Sequence, residues 1–295
     1  MFEFINKKNW FFAVSGIIIL AGIIAFIAFG GLNLGLDFTG GTTIRMDIGK
    51  DFNTDDVLKL TKGITNTEVV VQKVGDANTE ALIKTPEIDT ALRDKIVEAM
   101  KKEYTLDQVA LLETNNVSAS ASTKLITDAL KSVLYAMVLM LVYITIRFDF
   151  KSGLSAIINL THNVLIMLSV YAIFQLTIGV NFIAAILTIV GYSINDTIVI
   201  FDKIRENRKL DKKSPFDRTA NLSLNQTVKR SLNTSITTLV TILALYILGV
   251  DSIKDFCLPI IIGIVVGTYA SMCIATPTWV LLREVSFSKK KAKKA

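Results

Sequence analysis

Cysteine, histidine and proline are scarce in this chain: two, one and four residues among 295. Cys257 and Cys273 both lie in apolar stretches without CxxC spacing, so we expect plain core residues and no redox pair. With one histidine and two cysteines, neither a structural zinc site nor another metal site is expected. The sequence also lacks a GxxxxGK[ST] segment for ATP phosphates and the HExxH motif of metalloproteases. We therefore predict a protein that is not an enzyme and uses no cofactor.

Apolar residues dominate the composition: 51% of the chain is hydrophobic, and its mean hydropathy is +0.50. This value is typical of a polytopic membrane protein and too high for a soluble globular chain of this length. The first apolar run, about 20 residues, suits the roughly 30 Å hydrocarbon core and exceeds the apolar part of a signal peptide, so we expect a retained helix. Six transmembrane helices are predicted, at 10–29, 129–146, 153–176, 182–204, 233–249 and 256–282.

The placement of basic residues predicts the orientation, because short cytoplasmic connections carry an excess of Lys and Arg. Lys7 and Lys8 precede the first span, nine basic residues crowd the connection after the fourth, and five lysines lie at 289–294. An even number of spans places both termini on one side, here the cytoplasmic side. We expect the basic tail to be solvated; a dedicated lipid or ribosome contact is the alternative.

The polar stretch between the first two spans predicts a small folded domain outside the cytoplasm. Its patterns predict strands at 42–48, 68–74, 80–84 and 109–113, with helices at 54–61 and 88–100. This β-α-β-β-α-β order is that of the ferredoxin-like α+β fold, which alone indicates no function. The predicted divisions are the N-terminus with helix one (1–30), the outer domain (31–127), helices two to six (128–284) and the basic tail (285–295).

An acidic residue lies inside the fourth predicted span. Asp196, with Asn195 and Thr197 beside it, has only apolar or small neighbours for about a turn on either side. A carboxylate in hydrocarbon costs several kcal/mol unless it faces a partner or water, so such residues usually mark ion or proton paths. We predict that Asp196 bears the proton of a coupled process. A structural hydrogen bond that locks two helices together is the alternative.

Arg230, at the start of the predicted fifth span, is the expected counter-charge, with a snorkelling interfacial anchor as the alternative. Beyond it, a stripe of hydroxyls recurs at helical spacing; such a stripe lines a wet crevice or forms hydrogen bonds across helices. Its members are Thr234, Thr237 or Thr238, and Thr241.

Two other spans carry notable residues. His162 lies in the middle of the third span, where it is either a relay member that titrates or a satisfied structural histidine. In the sixth span, Gly263, Gly267 and Ser271 recur every four residues, a pattern of small side chains that predicts close packing of another helix.

Two motifs carry a resemblance to a known family. LGLDFTGGT at 34–42 is similar to the GxDFTGG signature of the SecD/SecF family of protein translocase subunits, within the RND superfamily. GYSINDTIVIFDKIREN at 191–207 resembles GYSxNDTxVxFDxIREN, typical of the SecF branch, and RSLNTSITTL at 230–239 resembles the start of its fifth span. The signature residues are Gly35, Asp37, Phe38, Thr39, Gly40 and Gly41.

The resemblance implies a multi-pass cytoplasmic-membrane protein that pairs with SecD and associates with the SecYEG channel. It also implies that the ion motive force is used to draw unfolded secretory polypeptide across the bilayer, with no nucleic-acid partner. Asp196 and Arg230 match the family's membrane aspartate and its partner arginine. Gly40 and Gly41 match the joint between span and outer domain, where glycine permits positive φ and a tight turn or hinge.

The sequence departs from the family at two places. Asn163 follows His162 where many members have aspartate, and 116–124 lacks the VGPxxGxE-like segment before the second span. An RND-type exporter of small molecules or lipids is an alternative function, although the outer domain is small for an export pocket. A scaffold without ion coupling is another. An intramembrane aspartyl protease would need a second acid near Asp196, and Asp149 and Asp202 are expected at the membrane boundary.

Overall fold

The computed structural model describes residues 2–67, 69–75, 79–104 and 110–292. The chain forms two compact units, Leu34–Asp128 and the combination of Met1–Asn33 with Ala129–Ala295. In chain order the elements are α1 (Lys8–Ala28), α2 (Leu36–Thr39), β1 (Gly41–Asp47), α3 (Thr54–Thr65), β2 (Val70–Val74), β3 (Glu80–Thr85), α4 (Thr90–Tyr104), β4 (Ala110–Val117), α5 (Ala119–Arg147), α6 (Phe150–Phe174), α7 (Val180–Leu210), α8 (Phe216–Leu248), α9 (Asp251–Ala270), a π turn (Ser271–Ala275) and α10 (Thr276–Ala292).

The prediction of a six-span membrane protein is confirmed. Within the described ranges, six helical segments are long and apolar enough to cross a membrane by length and composition. They are α1, α5, α6, α7, α8 and the continuous stretch formed by α9, the π turn and α10. Helix α10 continues through Ala292, so the backbone of most of the predicted tail is helical. Residues 293–295 lie outside the described ranges.

The fourth and fifth helices are longer than their apolar runs. Helix α8 begins at Phe216, so Arg230 lies several turns beyond the start of this helix, and its predicted place at the start of the fifth span stays a prediction. The polar ends of α7 and α8 stay helical because they pack against each other. Asn207 on α7 donates hydrogen bonds of 2.8 Å to Ser223 Oγ and to Gln226 Oε1 on α8. Local hydropathy could not show this pairing.

The interior of the helical unit lies between α6, α7 and α9. Cys257 and Cys273 are buried there as free thiols, as the sequence predicts. Helix α5 contributes little to this interior, because its large apolar side chains such as Leu130 and Leu139 are exposed. Its last turns pack on the start of α6, where a Cβ at Gly153 would lie 3.2 Å from Leu141. The exposed apolar faces are those that hydrocarbon can cover.

The α+β unit contains a four-stranded sheet in the order β2-β3-β1-β4, and all neighbouring strands are antiparallel. Strands β1 and β2 therefore run parallel with β3 between them, as the predicted element order requires. Helices α3 and α4 contact each other, and the shared core includes Ile44, Met46, Ile83, Ile96 and Met100.

Element bounds differ modestly from the sequence patterns in this unit. Helix α3 continues beyond 61 to Thr65 and ends at Asn66, which adopts a left-handed conformation with φ 52°. Strand β4 extends to Val117, beyond the predicted end at 113. Residues 68, 76–78 and 109, which belonged to the predicted second strand, turn and last strand, lie outside the described ranges.

Candidate functional site

The carboxylate of Asp196 connects three membrane helices. Asp196 lies on α7 and is partly buried. Ser231 Oγ on α8 donates a hydrogen bond to Asp196 Oδ1, and Ser271 Oγ at the π turn donates one to Asp196 Oδ2. Each oxygen of the carboxylate thus accepts a hydroxyl from a different helix. Hydrogen bonds to a charged group are stronger than those between neutral groups, so this arrangement stabilises an ionised carboxylate.

A cavity of about 120 Å³ adjoins the carboxylate. This volume accommodates several water molecules, and the lining offers them polar partners. Asn195 and Arg230 both line the cavity and are otherwise exposed. Within the part of the chain that the structure describes, the guanidinium of Arg230 makes no hydrogen bond or ion pair. Arg230 therefore lies beside Asp196 without a direct bond to it, while serine hydroxyls supply the bonds.

The threonine stripe on α8 bonds to its own helix. Thr234 donates to the Arg230 carbonyl at 3.0 Å, and Thr238 donates to the Thr234 carbonyl at 3.0 Å. Thr237 and Thr241 bond in the same way, at 2.8 and 3.1 Å. Among these four hydroxyls, Thr234 also lines the cavity. Among the described residues, the stripe therefore forms no side-chain hydrogen bond to another helix.

Serines on α8, rather than the threonines of the stripe, provide hydrogen bonds to other helices. Besides Ser231, Ser235 accepts a hydrogen bond from Tyr192 Oη on α7 at 3.3 Å and lies 2.5 Å from Thr268 Oγ1 on α9. Ser231 and Ser235 are four residues apart and share a face of α8. That spacing was visible in the sequence, but the adjacent threonines formed the longer and more prominent pattern.

The side of α7 that faces α6 carries a buried polar network. Ser193 accepts hydrogen bonds from Asn163 Nδ2 at 2.8 Å and from Asn159 Nδ2 at 3.4 Å, both on α6. Asn159 Nδ2 also reaches Thr197 Oγ1 at 3.4 Å. Thr197 is fully buried here, whereas its neighbour Asp196 faces α8. The two adjacent residues thus belong to separate polar groups, and Thr197 does not line the cavity beside Asp196.

His162 lies with Tyr269 rather than with Asp196. The two rings are 6.3 Å apart, and His162 Nδ1 lies 3.4 Å from Asn163 Oδ1. Tyr269 Oη donates to the Phe11 carbonyl on α1 at 2.9 Å. The role of His162 as a relay stays a prediction.

The small residues of the sixth span permit close packing on α7. A Cβ at Gly263 would lie 2.5 Å from Ile189 Cγ1, and one at Gly267 would lie 3.4 Å from Ser193 Cβ. The third member of the pattern, Ser271, meets Asp196 and also begins the π turn. A π turn is a local widening of the helix that is frequent at functional sites. Ser271 therefore has a polar contact in addition to its predicted packing role.

The glycine-rich segment after α1 adopts the backbone conformation that its sequence predicts. Gly40 ends α2 with φ 71°, and Gly41 begins β1 with φ 123°. Gly35 precedes α2 and accepts a hydrogen bond from Thr39 Oγ1 at 3.2 Å, while Phe38 is buried. Asp37 lies in the first turn of α2. Positive φ at two successive residues is readily adopted only by glycine, so the motif has a local structural reason.

Comparison with known families identifies the chain. The family model described as Protein export membrane protein SecD/SecF, C-terminal, matches residues 96–285, and the SecD/SecF GG Motif matches residues 25–51. The chain belongs to the SecD/SecF family. Asp196, Arg230 and Ser271 lie in the first matched region of this SecD/SecF protein, and Gly40 and Gly41 lie in the second.

SecD/SecF relatives resemble the chain over nearly its whole length. Protein translocase subunit SecF of Alicyclobacillus acidocaldarius is 36% identical over 293 residues, covering 98% of this chain and 95% of the relative. SecF of Pseudomonas aeruginosa is 33% identical and covers 96% and 92%. The crystal structure of SecDF from Thermus thermophilus, a translocon-associated membrane protein, has a TM-score of 0.85 at 32% identity. This chain covers 39% of that longer SecDF chain, and 96% of its own length is matched.

Proposed function

We propose that this multi-pass membrane protein promotes protein export across the cytoplasmic membrane as a SecF-type subunit, driven by the ion motive force through Asp196. The observation that carries the proposal is a membrane carboxylate held by hydroxyls from two other helices beside a cavity that accommodates water. Relatives named SecF support the role in translocation. In Bacillus subtilis and Thermus thermophilus, the matching region is part of a longer SecDF chain, which supports SecD as the partner.

Protonation of Asp196 requires its hydrogen bonds to rearrange. A serine hydroxyl has one proton to donate, and an ionised carboxylate can only accept. Ser271 Oγ donates to Asp196 and also lies 3.0 Å from the Thr268 carbonyl. When Asp196 is protonated, its O–H donates to Ser271 Oγ, and the hydroxyl of Ser271 turns to the Thr268 carbonyl. The bond between α7 and the π turn thereby reverses direction and loses its charge.

Arg230 supplies a second difference between the state with ionised Asp196 and the state with protonated Asp196. An ionised Asp196 attracts the guanidinium across the shared cavity, whereas a neutral one does not. Proton binding thus changes the forces that α7 exerts on both α8 and the π turn. We propose that this two-state shift moves the outer domain through the Gly40–Gly41 joint, with SecD, SecYEG and the unfolded polypeptide as partners. Asn195 and Thr234 line the same cavity and are proposed to hold its water.

Replacing Asp196 with Asn tests the proposal. Asp196→Asn keeps the shape of the side chain but removes the titration, so gradient-dependent stimulation of export should be lost. Asp202→Asn is the matched control, because Asp202 is an acid on the same helix that lies 3.3 Å from Arg147. Export is measured in vesicles that contain SecD and SecYEG, with and without an uncoupler or a sodium gradient.

Export that still responds to the gradient in Asp196→Asn would refute ion coupling at this residue. If Asp202→Asn loses the same gradient-dependent stimulation of export, the effect comes from removing a negative charge from α7 in general and not from Asp196 in particular. Co-purification of each variant with SecD separates a failure of coupling from a failure of assembly.

A further inference from the structure

A second cavity, of about 360 Å³, lies at the junction of the start of α6, the end of α7, the start of α8 and α10. Five of its ten lining residues are basic, and one, Asp149, is acidic. The basic residues are Arg205, Arg208, Lys209, Lys212 and Arg283. This cavity shares no lining residue with the cavity beside Asp196.

The carboxylate of Asp149 is already engaged. It accepts hydrogen bonds from Arg283 Nη2 at 2.8 Å and from Ser152 N at 2.7 Å. Burial opposes ionisation of Asp149, but these bonds and the Arg283 charge outweigh it and hold its pKa below the usual value. Asp149 is therefore ionised at neutral pH and neutralises one cation, that of Arg283.

The other four cations have no carboxylate partner among the described residues. Arg205 donates to the Arg147 carbonyl at 3.1 Å, and Arg208 donates to the Ser214 carbonyl. The carbonyls orient these guanidinium groups without neutralising them. The ammonium groups of Lys209 and Lys212 are free of ion pairs within the described ranges. The cavity therefore carries a concentrated positive charge that favours an anion.

Aromatic side chains form part of the wall of the cavity. Trp279 is 3% exposed, and its indole Nε1 has no hydrogen-bond partner in the described structure. The Phe216 ring lies 5.2 Å from the Trp279 ring, and Arg283 Cζ lies 4.4 Å from the Phe216 centroid.

Apolar side chains flank the basic residues in the chain. Leu210, between Lys209 and Lys212, is 80% exposed; Ile146 and Phe150, on either side of Asp149, are 82% and 61% exposed. A soluble anion would engage only the basic side chains, whereas a lipid offers a phosphate to them and acyl chains to these apolar side chains. Basic pockets between transmembrane helices are a recurring form of anionic-lipid site. We propose that this cavity binds the headgroup of an anionic phospholipid, whose acyl chains cover the flanking apolar residues.

Tryptophan fluorescence of the full-length chain tests this site. The chain contains two tryptophans, and Trp10 is 63% exposed, so Trp10→Phe leaves Trp279 as the reporter. The variant is placed in phosphatidylcholine bilayers, and brominated phosphatidylglycerol or brominated phosphatidylcholine is added as the quencher. We expect brominated phosphatidylglycerol to reach half-maximal quenching at a mole fraction roughly 10- to 30-fold lower than brominated phosphatidylcholine does.

The decisive variant removes the two lysines without ion pairs. Lys209→Gln with Lys212→Gln should abolish the preference for brominated phosphatidylglycerol. Lys213→Gln with Lys229→Gln is the matched control: both are exposed, neither lines the cavity, and the change in net charge is the same. The control should retain the preference.

Three results would overturn the proposal. Equal quenching by the two brominated lipids would show that the cavity does not select an anionic headgroup. If the control variant loses the preference for phosphatidylglycerol to the same extent, the anionic lipid is attracted by the overall positive charge near the cavity rather than bound in the cavity. Relief of quenching by millimolar inorganic phosphate would show a site for a soluble anion rather than a lipid.

Discussion

Ser271, the first residue of the π turn, donates a hydrogen bond to the carboxylate of Asp196 on another membrane helix. This contact places the irregular backbone of the last span directly beside the charged group of the fourth. π turns within α-helices are frequent at functional sites. The proposed proton site and this irregular turn coincide.

We expect Ser271→Ala to reduce gradient-driven export on the order of tenfold, because a hydrogen bond to a charged group is worth about 1.5–3 kcal/mol. The control is Ser235→Ala, which changes a hydroxyl that lines the same cavity and contacts Tyr192 and Thr268 rather than Asp196. Export is measured at a fixed ion gradient. If both variants lose the same activity, the bond from Ser271 has no special part in coupling.

Replacing the two glycines of the sixth span with alanine should have very different effects on the stability of the protein. Gly263→Ala places a Cβ 2.5 Å from Ile189 Cγ1, and we expect a loss of about 1–3 kcal/mol in stability. Gly267→Ala makes an ordinary contact at 3.4 Å with Ser193 and should be tolerated. Thermal unfolding in detergent compares the two. Adding Ile189→Ala should rescue Gly263→Ala, and a double variant without rescue would contradict this packing.

Gly41 of the family motif should be harder to replace than Gly49. Gly41 has φ 123° and is packed against the Thr85 carbonyl, whereas Gly49 has φ 69° and open space around it. We expect Gly41→Ala to weaken the pairing of β1 with β3, and Gly49→Ala to cost about 1–2 kcal/mol. Hydrogen exchange of β1 amides in the full-length protein provides the measurement. Similar exchange in the two variants would argue against a special backbone requirement at Gly41.

The stability of the start of α6 should decrease at acidic pH because Asp149 becomes protonated. Its folded-state pKa lies below the ordinary value of 3.8, so its stabilising contribution is present above pH 3.8 and is lost as the pH falls through the folded-state pKa. Because Asp149 is partly solvated, this contribution is at most about 1 kcal/mol. Asp149→Asn keeps the capping oxygen but removes the charge, and should flatten the pH dependence of amide exchange near Ser152. An unchanged pH profile in this variant would contradict the assignment.

The correct predictions from sequence were those set by local patterns. Six apolar runs predict six spans, because a helix must satisfy its own backbone in hydrocarbon. The positive φ of Gly40 and Gly41 follows from residue type, and alternating residues predict the strands of the α+β unit. The helical residues of α8 before Arg230 were not predicted, because they are polar and their pairing with α7 joins residues distant in the chain.

The sequence by itself determined that an acid lies inside the membrane and that small residues line the sixth span. Only the tertiary structure decided that Ser231 and Ser271 hold the carboxylate of Asp196, and that His162 lies with Tyr269. Hydropathy and periodicity place a residue on its own helix but do not set the rotation and axial offset between helices. Those two quantities follow from the packing of side chains such as Ile189 against Gly263, which joins residues distant in the chain.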